Sequence, residues 1–130
     1  LRSALTHARL GGKLADLIYS LYTTNTDFYA YQFKPVLSFL DSPSRGILIA
    51  DEVGLGKTIE AGLVLAQRWA ERRRRILIIV PATLRKQWAQ ELDDKFHIPT
   101  IVLESASFNR MVKAGKTNPF DQEDHVVVCS

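Results

Sequence analysis

The sequence predicts an α/β fold: a parallel sheet in three layers, with helices on both faces. Two observations predict it. Solid apolar runs at 47–50, 76–80, 100–103 and 126–129 alternate with segments of helical period. Strands that are apolar throughout, not at every second residue, belong to parallel sheets covered on both sides. In addition, the first run opens into a glycine turn, and a helical pattern follows at once. That order of strand, turn and helix sets the geometry of the carboxyl edge of an open sheet, where ligands bind.

The run Ile47-Leu48-Ile49-Ala50 is read as the opening strand. Asp51-Glu52-Val53-Gly54-Leu55-Gly56-Lys57-Thr58 follows it. Gly54 and Gly56 have no Cβ, so the backbone can curl and aim several N–H groups into one hollow. The helix beginning there adds its unpaired N–H groups and the positive end of its dipole. Lys57 supplies a point charge for β- and γ-phosphates, and the Thr58 hydroxyl suits Mg²⁺. The general phosphate-loop pattern has glycine five residues before Gly56, where this chain has Asp51.

The next helix is predicted from Thr58 to about Arg72. Its apolar residues (Ile59, Leu63, Val64, Ala66, Trp69, Ala70) cover more than half its circumference, as a helix packed under a sheet and against a neighbour requires. Arg72 to Arg75 reads as a solvated basic loop. The strand at 76–80 ends at Pro81. Thr83 is the predicted cap of a third helix, with Leu84, Trp88, Leu92 and Phe96 along one face. A strand at 100–103, a helix at 107–114, a polar loop and the strand at 126–129 complete the order.

Before the glycine turn, Leu14, Leu17, Ile18, Leu21 and Tyr22 fit one helical face. Val36, Leu37, Phe39 and Leu40 suggest a short helix, with Pro35 in its first turn. Gln32 lies fifteen residues before the opening strand. Its amide carries a donor beside an acceptor, the pair that matches adenine N6 and N7.

The 130 residues suffice for about one domain, and 46% hydrophobic content allows a true core. A net charge of +3 permits a nucleic-acid partner without requiring one. The single cysteine, Cys129, excludes an internal disulfide and suits a reducing cytoplasm. No apolar run approaches the ~20 residues of a membrane span. His7, His97 and His125 are too scattered to suggest a metal site. The chain begins at Leu1, not Met, and stops one residue after an apolar strand, so it reads as a piece of a longer protein.

In this order the segments resemble the Swi/Snf-type helicase-like ATPases of superfamily two. Asp51 to Thr58 looks like motif I of that family, where Asp-Glu commonly stands in place of the first glycine; Asp51 therefore favours the family. Gln32 falls where the adenine-reading Q motif lies. Ile78 to Leu84, with Gln87-Trp88, resembles motif Ia, and Val127 to Ser130 the start of motif Ib. Thr58-Ile59-Glu60-Ala61-Gly62 is similar to the bacterial RapA-like branch.

The resemblance implies an incomplete RecA-like lobe over residues 28–130, preceded by an extension at 1–27. It implies ATP and Mg²⁺ as cofactors and duplex DNA as partner, and a cytoplasmic, nucleoid-associated protein that remodels protein–DNA complexes. Asp51, Glu52, Val53, Gly54, Leu55, Gly56, Lys57 and Thr58 would hold the nucleotide, with Lys57 and Thr58 catalytic and Thr58 on the metal. Thr83 and Lys86 would touch the DNA backbone. The acidic motif II and the arginines of a second lobe are absent from these residues, so the chain alone is expected to hydrolyse ATP poorly. A bare sheet edge would invite self-association. A nucleotide-binding module without translocation, or another phosphate-loop enzyme, are the alternatives.

Overall fold

The computed structural model describes residues 30–44, 46–50 and 56–130. The helix expected over 14–22 lies outside them, as do Asp51, Glu52, Val53, Gly54 and Leu55. A 3₁₀ turn at Ala30–Phe33 leads into α1 (Lys34–Asp41), with Pro35 in the first turn as expected. Then come α2 (Lys57–Ala70), β1 (Leu77–Ile79), a 3₁₀ turn at Ala82–Leu84, α3 (Arg85–Phe96), β2 (Thr100–Val102), α4 (Ser105–Lys113) and β3 (Val126–Cys129).

The three strands form a parallel sheet in the order β1-β3-β2. β3 is central, and Val126, Val127 and Val128 are each 0% exposed. Its uninterrupted apolarity follows from having a strand on either side and side chains covered on both faces. The register places Ile78 and Val102 level with Val128. Ile78, Val126 and Val128 pack into one core cluster with Leu63 and Ala66 of α2 and Leu92 and Phe96 of α3. Phe33 and Val36 close the cluster from the first helical segment. Each fully buried aliphatic side chain here contributes about 1.5–3 kcal/mol.

Two local expectations need correction. The run at 47–50 is not a strand: residues 46–50 have no strand hydrogen bonding, and Leu48 is 86% exposed. Apolarity selects a buried position, but a strand also needs a neighbour to pair its N–H and C=O groups. Among the described residues β1 pairs only with β3, and this run does not take up the open outer edge of β1. That open edge, with Leu77 and Ile79 exposed beside it, is where self-association is expected to form. The second correction concerns Thr83, which does not cap α3. The chain tightens first into the 3₁₀ turn, with Leu84 N–H donating to the Pro81 carbonyl at 2.8 Å, so Leu84 becomes the N-cap.

The helix ends explain themselves. α2 closes in a Schellman motif: Arg73 N–H donates to the Arg68 carbonyl and Arg72 N–H to that of Trp69. The residue that must turn left-handed there is Arg72 (φ 61°), not glycine. α4 ends the same way, but on Gly115 (φ 94°). Glu104, just after β2, is the N-cap of α4. Its N–H donates to Ser107 Oγ at 2.8 Å, and its carboxylate lies 3.4 Å from Arg85 Nη2.

Glu71, at the C-cap of α2, supplies one pH dependence. Burial pushes its carboxyl up, but hydrogen bonds from Gln67 and Arg68 and the charges of Arg68 and Arg73 outweigh that, and the net direction is down. A carboxyl held below its unfolded value stabilises the fold above the ordinary carboxylate range and loses that contribution as pH falls through the folded value. Glu71→Gln is expected to lower stability modestly at neutral pH and to flatten the acid limb of the unfolding profile, so that the two proteins converge as pH falls. Thermal melts of both proteins across pH 3–6 check this.

Candidate nucleotide site

The site is built at the amino end of α2. Gly56 is the N-cap and takes a left-handed backbone (φ 82°), from which its carbonyl accepts the N–H groups of Ile59 and Glu60. Lys57 and Thr58 are the first two residues of the helix. The positive end of the helix dipole favours an anion at this end. α2 in turn is fixed by its inner face: Leu63 is fully buried, and Gly62 lies directly under the Phe96 ring.

Gln32 is brought to the same place. It is only 3% exposed, and a Cβ built on Gly56 would lie 2.8 Å from its Nε2. The amide therefore occupies the space that any side chain at position 56 would need. Twenty-four residues of sequence separate the two, and no local periodicity links them. Glu60, one turn into α2, is 1% exposed. Sequence reasoning treated it as part of a motif ending and did not single it out; its place on the inner face of the first turn, one residue after Ile59, was the available signal.

The other candidate residues fall elsewhere. Thr83 and Lys86 follow β1, and both are exposed. They sit at the carboxyl edge of the sheet, as Lys57 and Thr58 do at the start of α2. Trp88 packs against the core and offers no platform to a base. No cluster of metal-ligating residues occurs among the described residues. No helix among them is long and apolar enough to cross a membrane. The residues present fit a nucleoside triphosphate with its metal: Gly56 lacks the Cβ that would collide with the Gln32 amide, and an ammonium and a hydroxyl come immediately after it.

Residues 15–130 match the SNF2-related domain. This chain belongs to that family. The match covers most of the sequence and makes the chain a member of the helicase-like Swi/Snf ATPases, with the α/β architecture described above. Among curated relatives it is 42% identical over 85 residues to the RNA polymerase-associated protein RapA of Serratia proteamaculans, covering 65% of this chain. It is 44% identical over 85 residues to the RapA of Pasteurella multocida, covering 62%. The Yersinia pestis (strain Pestoides F) protein of the same name is 41% identical over 85 residues, covering 65%. In each case the aligned region is 9% of the relative's length. The RapA-like branch suggested by Thr58 to Gly62 agrees with these relatives.

Proposed function

We propose that the chain is the ATP-binding portion of a DNA-dependent ATPase that moves along duplex DNA and remodels protein–DNA complexes. The observation that carries the reading is the Gln32 amide packed against Gly56, immediately before Lys57 and Thr58. It joins a group suited to adenine with a hollow suited to phosphate. Lys57 neutralises charge on the β- and γ-phosphates. Thr58 Oγ1 is a ligand for Mg²⁺, which when bound screens the phosphates and polarises the terminal one. The backbone from Gly54 to Lys57 donates N–H groups to phosphate oxygens, with Asp51, Glu52, Val53 and Leu55 shaping that loop. Thr83 and Lys86 contact the DNA backbone from the same sheet edge. The reading puts the protein at the nucleoid in the bacterial cytoplasm. Because the relatives are named for association with RNA polymerase, it makes a polymerase a candidate partner.

Gln32 separates this reading from a phosphate-loop enzyme using another nucleotide. In the intact protein, Gln32→Ala is expected to weaken ATP binding by about tenfold and to erase the preference over GTP. Titration with fluorescent ATP and GTP analogues measures both. Equal affinity for the two nucleotides before the substitution would sink the adenine assignment.

For the 130 residues alone, DNA-stimulated phosphate release is expected to be near background. Positioning the attacking water and stabilising the transferred phosphoryl require an acidic pair and arginines that these residues do not provide. A coupled phosphate assay with and without duplex DNA checks this; turnover matching the intact protein would refute it.

A further inference from the structure

The basic run after α2 is mostly exposed, as a solvated loop should be. Arg72, Arg73, Arg74 and Arg75 line a cavity of about 430 Å³ whose facing wall is Glu123 and Asp124. The cavity lies between the segments that precede β1 and β3, so it opens at the amino edge of the parallel sheet. The phosphate-binding end of α2 is at the other edge, about 20 Å away along fourteen helical residues.

The four arginines are not equivalent. Arg75 is spent on Asp121 (3.1 Å) and Glu123 (3.5 Å), and Arg73 is only loosely paired with Glu71 (3.9 Å). Arg72 and Arg74 have no carboxylate partner among the described residues. The Arg74 guanidinium carbon lies 4.8 Å from the centre of the Trp69 ring. Its Nε is shut off from solvent without a hydrogen-bond acceptor among the described residues. The rest of the half-buried guanidinium still reaches the cavity, so an anion there would meet its Nη groups and offset the poorly solvated charge. Arg72 stands in the left-handed conformation that glycine fills at the end of α4. Such strain is a reason to ask what the side chain does there. The positive end groups are not needed for the α2 dipole alone, since Arg68 already serves the last turn.

We propose that this cavity docks an acidic protein segment: carboxylate side chains on Arg72 and Arg74, with a basic residue beside them on Asp124. Planar guanidinium forks match carboxylates in a bidentate geometry. Duplex DNA fits less well. Its backbone carries one charge per ~1.7 Å and nothing positive, and would meet Asp121, Glu123 and Asp124 along the same wall. The interleaved signs instead complement a chain that carries both.

The test uses the intact protein, at low ionic strength, with a fluorescent peptide of alternating Glu and Gly bearing one central Lys. Its Gln-for-Glu counterpart and a short duplex DNA are the comparisons. Arg72→Gly removes one guanidinium while suiting the left-handed backbone, so the fold is retained or strengthened. Should thermal melting show otherwise, Arg74→Gln, which keeps the stem over Trp69, provides the reading. The acidic peptide is expected to bind, the Gln peptide not, and the variant to lose about tenfold in affinity for the peptide alone. DNA and ATP affinity are expected to stay within about twofold. Indifference of the peptide to the substitution overturns the proposal. An equal loss for DNA overturns it in favour of a nucleic-acid contact.

Discussion

Intact protein carrying Lys57→Ala is expected to lose at least about 100-fold in kcat/KM for ATP, because a pre-placed cation at the transferred phosphoryl is worth several kcal/mol in a water-poor site. The residue is the first of α2, on the turn at the positive end of the helix dipole. No other described lysine or arginine stands on that turn; Arg68 is at the far end of the helix, and Arg72 to Arg75 lie beyond it. The ammonium therefore has no understudy. Steady-state phosphate release gives the rate, and titration with a fluorescent ATP analogue separates binding from chemistry. Far-ultraviolet circular dichroism should be unchanged, since alanine is the better helix former. Lys57→Arg is expected to recover only a fraction, because the planar, larger guanidinium does not replace a compact point charge. Unaltered ATP affinity and turnover in the alanine variant would remove the basis for the phosphate assignment.

The second large effect is on stability. Gly62→Ala is expected to cost about 1–2 kcal/mol, although alanine is the better residue for a helix interior by about 1 kcal/mol. The reason is contact. A Cβ at position 62 would lie 2.2 Å from Phe96 Cε2 and 2.5 Å from Cζ. Those distances are impossible without movement, and the ring is 4% exposed inside the shared core of α2, α3 and the sheet. Urea unfolding measures the loss. Adding Phe96→Leu should recover part of it, so that the double variant is more stable than the sum of the singles. A Gly62→Ala protein as stable as the original would mean that α2 and α3 are not packed as closely as described.

Glycine at 62 was visible in the sequence only as part of a motif, and Phe96 only as the fourth apolar residue on a helical face. Their meeting is a tertiary fact, which no period in either helix encodes. The same holds for Gln32 and Gly56. What was legible were the features with strong local causes. α1, α2 and α3 follow from apolar spacing, β3 from four consecutive buried-type residues, and the first turn of α1 from Pro35. The strand at 47–50 was misread because its side chains fit burial while its backbone lacks a partner among the described strands. Thr83 was misread because capping depends on where the first helical φ/ψ falls, and the 3₁₀ turn moves that point to Leu84 and Arg85. Glu104 is explained by Ser107 three residues on: the pair holds the start of α4.

The strand order has a consequence for how the molecule is made. Among the described strands β1 and β2 are not paired with each other; each is joined only to β3, which follows both in the chain. Until residues 126–129 leave the ribosome, the two earlier strands have no hydrogen-bonded neighbour among the described residues. Among the described residues only helical pieces can persist before then. Formation of this sheet must wait for a closure spanning some fifty residues on one side and twenty-five on the other, which predicts slow, all-or-none acquisition of structure and a nascent chain exposed to chaperones until β3 arrives.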